Sequence, residues 1–271
     1  MLTPLKIRKI DIRYCVILFC IIIMIFLPLL LFKQSTVQEQ NEEANKTIFS
    51  YQSYKLQTIT PKILPLNGFL QIPELPNGCE ATALSIALNY DGCPADKMEI
   101  ALSYIPRVPF TETEKGLYGG NPENVYVGDP KGFGYYVFEK PVQLAAKKFL
   151  QDHHANRTVQ DLTGKHFFIF EDLINTGTPI VIWNTLNFEP PIYSKRTWTL
   201  YEEETVYQPY SNLHATVIYG YDSFYYYVYD PLVGPRKVLR FLLHTNWEQM
   251  GARAIAILRT GQPPVRFFIR P

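Results

Sequence analysis

Cysteine is scarce in this chain, with four in 271 residues, and two of them, Cys15 and Cys20, stand inside an apolar run. That leaves Cys79 and Cys93 for any disulfide in the rest of the chain. Net charge is scarce as well: 26 basic residues against 25 acidic ones give a formal net charge of +1, so no electrostatic argument favours nucleic acid or an acidic substrate as partner. Metal-ligand spacing is missing among the five histidines, and neither a metal nor a cofactor is expected.

What is present begins with an uncharged apolar stretch from Tyr14 to Phe32. At about 1.5 Å per helical residue it comes close to spanning a hydrocarbon core of roughly 30 Å. Lys6, Arg8, Lys9 and Arg13 precede it and Lys33 follows it, so the positive-inside bias keeps the N-terminus in the cytoplasm and sends the rest of the chain out. A cleaved signal peptide is the other reading, but its apolar region is usually about 7–15 residues with small residues at the cut; Phe32-Lys33-Gln34-Ser35 offers no such site. The expected plan is a basic cytoplasmic N-terminus (1–13), one transmembrane anchor (14–32), a polar tether (33–60), a single folded domain (61–262) and a C-terminal tail (263–271). That plan predicts a single-pass plasma-membrane protein with its folded domain outside the cytoplasm.

In Gln71-Ile-Pro-Glu-Leu-Pro-Asn-Gly-Cys79-Glu-Ala-Thr-Ala-Leu the residues before Cys79 read as turn and those after it as helix. Ala81, Leu84 and Leu88 are spaced to bury one stripe, and Gly92 and Pro94 stop the helix after Tyr90. Asn77 is placed to cap its start, and Glu80 to reach back to the Asn77 N–H as in a capping box. A thiol at that position receives the positive end of the helix dipole, which favours thiolate and makes a nucleophile; a small buried hydrophobe is the other reading of Cys79. Helical geometry separates Cys79 from Cys93 by roughly 15–20 Å, too far for a disulfide, so Cys79 is predicted to be free. A free thiol in an exported domain favours catalysis, because structural cysteines there are normally paired.

A thiol enzyme needs an imidazole and a group to orient it. His153 and His154 lie in a polar segment, and His166 and His244 flank apolar runs without an obvious partner. His214 opens the strand-like run His214-Ala-Thr-Val-Ile-Tyr-Gly-Tyr, which turns at Asp222-Ser223 into Phe224-Tyr-Tyr-Tyr-Val-Tyr-Asp230-Pro. A turn centred on Asp222 sets His214 directly opposite Asp230 on one face. A strict two-residue turn at Asp222-Ser223 would instead pair His214 with Pro231 and send Asp230 to the other face. Asp-Pro is also an ordinary way to leave a strand. Gln71 could supply an amide N–H that joins the Cys79 backbone N–H in an oxyanion site, or be a solvated loop residue.

These strings, together with Val127-Gly-Asp-Pro130, Leu173-Ile-Asn-Thr-Gly-Thr-Pro-Ile-Val-Ile-Trp183 and Gly220-Tyr-Asp222, resemble the stand-alone bacterial relatives of the double-glycine leader peptidases, cysteine peptidase family thirty-nine-like domains of the papain-like group. The resemblance runs roughly from Leu66 to Ile257. It implies an α+β, papain-like fold in which a nucleophile helix packs on an antiparallel sheet, with a peptide or protein as substrate. It carries Cys79 over as nucleophile, His214 as general base, Asp230 as its orienter and Gln71 as oxyanion donor. The better-known leader peptidases are fused to an exporter ATPase, whereas this chain has no Gly-x-x-x-x-Gly-Lys-Ser/Thr loop. A cell-wall peptide amidase, or a peptide-binding scaffold without turnover, would use the same constellation.

Elsewhere, Gly116 to Gly134 reads as an ordered loop over a groove or as a plain surface loop, Pro141 to Leu150 as a helix begun by proline, and Phe170 to Asn175 as a short helix before a buried strand at Ile180 to Trp183. The aromatics Tyr219, Tyr221, Phe224 to Tyr227 and Tyr229 read as strand residues or as a groove lining.

Overall fold

The structure, a computed structural model, describes residues 60–259 and Gly261. The expected anchor, the N-terminus before it, the tether up to residue 59 and the tail lie outside the described residues. Among the described residues no helix is long and apolar enough to cross a membrane.

The described chain opens with β1 (Lys62–Ile63) and a turn-rich loop, then enters α1 (Cys79–Tyr90), which starts where the turn residues stop. A helical turn at Lys97–Glu99 runs into a π-helical turn at Ile100–Tyr104. Four short strands follow: β2 (Arg107–Val108), β3 (Thr111–Thr113), β4 (Gly116–Gly119) and β5 (Tyr126–Val127). Next come α2 (Glu139–Asp152), β6 (Arg157–Asp161), α3 (Ile169–Asn175) and β7 (Ile180–Thr185). The small strands β8 (Trp198–Leu200) and β9 (Val206–Tyr207) lead to the hairpin β10 (Leu213–Tyr221) and β11 (Tyr225–Asp230). The fold closes with β12 (Gly234–Leu239), α4 (Arg240–Gln249) and β13 (Ala254–Arg259).

The main sheet has seven strands in the order β12-β11-β10-β7-β13-β6, with β1 against the end of β10, and every pairing in it is antiparallel. Alternation sorts its central strands into two cores. Val181, Trp183, Ala215, Val217, Ile255 and Ile257 pack with α1 and α2. Ile180, Ile182, Ile218, Ala254 and Ala256 pack with α3 and α4. A strand covered on both faces has no polar side to present, which is why β7 reads as the continuous run Ile-Val-Ile-Trp.

The sequence places one buried stripe on α1, but every residue from Cys79 to Leu88 is buried, including Glu80, Thr82 and Ser85. The helix is sunk among the sheet, α2 and the loop ahead of α2, so it lacks a solvent face over most of its length. The other boundaries shift by a residue or two: α2 begins before Pro141, whose missing N–H is harmless in a first turn, and β7 runs on to Thr185 because its ladder with β10 reaches Leu213. Gly116 to Gly134 is not simply a loop. Its first residues form β4, which pairs with β3 and, in parallel, with β8, a partner some eighty residues away that no local pattern announces. Tyr221 and Tyr226 are buried core residues rather than a groove lining.

Candidate active site

The segment before α1 is fixed from several sides. The Gln71 N–H donates to the Pro231 carbonyl at 2.7 Å, and the Gln71 carbonyl accepts from Leu75 N–H at 2.9 Å and from Lys97 Nζ at 3.2 Å. The Asn77 N–H donates to the Pro130 carbonyl at 3.0 Å, its side-chain amide donates to the Gly132 carbonyl at 2.7 Å, and its own carbonyl accepts from the Tyr126 hydroxyl at 2.7 Å. Asn77 therefore does not cap α1. Its side chain is taken by the Gly128–Gly134 turn, and the capping position falls to Gly78 with no side-chain cap. A Cβ on Gly78 would stand 2.6 Å from Leu75 Cβ, so the chain reaches the helix only with glycine there. Gly128, Asp129 and Phe133 of the same turn join Arg107, Pro109 and Phe110 around an open cavity of about 380 Å³.

Cys79 is the first residue of α1, so its backbone N–H has no acceptor within the helix. Its thiol is buried and donates to Glu80 Oε2 at 3.3 Å. Burial pushes the Cys79 thiol well up, the Glu80 charge and hydrogen bond push it further, and the Ala215 N–H pulls it back only in part. The lowered thiol expected from the helix dipole is overturned here, since desolvation and a neighbouring carboxylate outweigh a dipole that contributes about 1 kcal/mol. Glu80 does not close a capping box. Only 1% exposed, it turns inward so that Oε1 accepts from the Val137 N–H at 3.0 Å. Burial raises its carboxyl to about 7, against the pull of its own N–H, the Val137 N–H and the Cys79 thiol. Cys79 and Cys93 are both free and buried.

His214 and Asp230 meet by a less direct route than the sequence count. Near the turn the register is Tyr221↔Tyr226 and Gly220↔Tyr227, and beyond a bulge at Tyr219 it becomes Ile218↔Val228 and Val217↔Tyr229. Extended one step, the second register sets Asp230 across from Thr216, two residues from His214 and on its face, so the pair is diagonal rather than directly opposite. Without the bulge the first register would set Asp230 across from Val217 and on the other face. One extra residue on β10 restores the parity that brings the two side chains together.

His214 Nε2 lies 2.7 Å from Asp230 Oδ1, and both side chains are buried. Asp230 also accepts from the Leu232 N–H at 2.9 Å and from Arg236 Nη1 at 3.2 Å. Burial alone would raise the Asp230 carboxyl, but His214, the Leu232 N–H and Arg236 together hold it below the ordinary aspartate range.

The four sequence-predicted residues therefore lie on neighbouring pieces of chain. The Gln71 backbone is bonded to the residue after Asp230, and the Cys79 sulfur faces the N–H of Ala215, the residue after His214. Their side chains are not all joined: the thiol bonds Glu80 rather than His214, and the Gln71 amide donates to the Pro76 carbonyl at 2.9 Å while its Oε1 is buried without a partner. Sequence reasoning missed Glu80 as the partner of the thiol and Arg236 as a second partner of Asp230. A charged residue inside the otherwise apolar start of α1 was the available signal for the first. Among the described residues no group of three or more His, Cys, Asp or Glu side chains is placed to hold a metal ion.

Residues 62–255 match the sequence profile of the Peptidase C39-like family. The uncharacterized protein YvpB of Bacillus subtilis (strain 168) is 34% identical over 190 residues, which cover 69% of this chain and 72% of that protein. A crystal structure of a putative C39-like peptidase from Bacillus anthracis aligns with a TM-score of 0.65 at 32% identity, covering 75% of this chain and 100% of that one.

Proposed function

The chain belongs to the Peptidase C39-like family, and on that basis we propose that it is a cysteine peptidase that hydrolyses peptide bonds through an acyl-thioester on Cys79. The single observation that carries this reading is the buried His214–Asp230 pair at 2.7 Å, formed on the strand whose next N–H faces the Cys79 sulfur. With Nε2–H committed to Asp230, Nδ1 is the nitrogen left to take the thiol proton. The sulfur then attacks the scissile carbonyl, and the Cys79 N–H with the Gln71 amide receives the oxyanion. The imidazolium returns its proton to the leaving amine, and a water activated by His214 releases the acid and regenerates the thiol. Asp230 holds the ring orientation and stabilises its charged form throughout.

The setting proposed for this chemistry is the outer face of the plasma membrane, on an uncleaved anchor at residues 14–32; the support is the apolar run and the basic residues before it. The test is cleavage of a defined peptide pool by the full chain, read by mass spectrometry. Products from the wild type that disappear in both Cys79→Ala and His214→Ala support the reading. Equal product in either variant removes that residue from the mechanism, and no product from any form leaves a peptide-binding module as the better account.

A further inference from the structure

We infer that Glu80 is a positioning residue for the nucleophile: its carboxyl holds Cys79 as a thiol in the resting protein, and the proton passes to His214 only once that carboxyl is neutralised. The inference rests on Cys79 being the nucleophile.

The Glu80 carboxyl has one oxygen on the Val137 N–H at 3.0 Å and the other on the Cys79 thiol at 3.3 Å. The first donor is itself fixed, because the Val137 carbonyl accepts from the Trp183 indole at 2.9 Å. Among the described residues no Lys, Arg or His pairs with Glu80. A buried carboxylate with two amide donors, its own N–H and that of Val137, and no cation is poorly compensated, and the thiol proton is a further donor within reach. A thiolate in the same place would set two buried negative charges side by side, so ionised Glu80 and ionised Cys79 exclude one another.

The groups around the pair do not relieve this. Tyr126 on β5 spends its hydroxyl on the Asn77 carbonyl. From the β10–β11 hairpin, Asp230 adds a further negative charge that disfavours the thiolate, and His214 is engaged with Asp230. The pull in the other direction comes from the Ala215 N–H. Proton uptake by Glu80 from solvent removes the charge opposing the thiolate and frees the thiol proton to move to His214 Nδ1, giving a thiolate–imidazolium pair with no other change in proton count. The carboxyl is raised to about 7, so its neutral form is within reach at physiological pH.

The experiment is iodoacetamide labelling of the full chain between about pH 5 and about pH 9, read at the Cys79 peptide by mass spectrometry, for wild type, Glu80→Gln and His214→Ala. Glutamine can keep the bond to the Val137 N–H while presenting an N–H to the sulfur. The expected result is a Glu80→Gln midpoint lower by about one pH unit, with labelling about tenfold faster on the alkaline side of neutrality. A looser fold would speed labelling at every pH without moving the midpoint. A Glu80→Gln midpoint equal to or above that of the wild type overturns the inference, whatever His214→Ala does; a His214→Ala profile matching the wild type counts against the proposed mechanism instead. Should Glu80→Gln fail to fold, the infrared S–H stretch of wild-type Cys79, assigned by its loss in Cys79→Ser, decides. The expected band is present at neutral pH and shifted to lower frequency than that of Cys93, and its absence overturns the inference.

Discussion

Asp230 and Glu80 are both buried carboxyls, 3% and 1% exposed, each touching a residue proposed for the chemistry, and their acidities move in opposite directions. Asp230 receives an imidazole, a backbone N–H and a guanidinium and is held low. Glu80 receives its own N–H, the Val137 N–H and a thiol, with no cation among them, and is driven up to about 7. Burial pushes both the same way, so the charge of the donors decides. One carboxyl is built to stay ionised beside a base, whereas the other is poised to exchange a proton beside a nucleophile.

The largest effect that would sharpen this contrast is at Asp230. Asp230→Asn keeps the shape but supplies no charge to orient and stabilise the imidazolium, and turnover is expected to fall by about 10²–10⁴-fold; peptide cleavage rates measure it, and an unchanged rate would break the comparison on the Asp230 side. Next is Gln71, whose backbone N–H is tied to the residue after Asp230. Gln71→Ala should lower kcat by about 10²–10³-fold while leaving the pH midpoint of Cys79 labelling in place, because the residue acts on the oxyanion and not on the thiol. A shifted labelling midpoint would show a different role.

A smaller effect separates the two carboxyls through stability. A carboxyl whose pKa is raised by folding, from 4.5 to about 7 for Glu80, binds its proton more tightly in the folded state. Its contribution is thus greatest below about pH 4.5 and is lost as pH rises through about 7, by at most about 3 kcal/mol. For Asp230 the sign reverses: the lowered carboxyl stabilises the fold above its ordinary value of 3.8, and that contribution is lost as pH falls below it. Denaturant titrations across this range should give a decline toward neutral pH that Glu80→Gln flattens and an acid limb that Asp230→Asn reduces. A decline that survives in Glu80→Gln would place its origin elsewhere.

What the sequence made legible follows the range of the interactions involved. The start of α1 at Cys79, the strand at Ile180 and the β10–β11 hairpin are written in neighbouring residues, as turn signals, apolar runs and alternation. The His214–Asp230 meeting could be anticipated as a shared face, although its register depends on a bulge at Tyr219 that the alternating aromatics do not mark. The caps and the thiol were not legible. Asn77 is drawn away by Gly132, 55 residues on, and Glu80 by Val137, 57 residues on. With those partners out of sight, local rules assigned both residues to a capping box and made the thiol more acidic than its surroundings allow. The small sheet is the same case, since β4 finds β8 only through the tertiary fold.

The proposed acyl-thioester is tested most directly by intercepting it. With hydroxylamine present during peptide cleavage by the full chain, the account predicts peptide hydroxamates from the wild type and neither hydroxamates nor hydrolysis products from Cys79→Ala. Cleavage that persists in Cys79→Ala would mean that water attacks without the sulfur, and would contradict it.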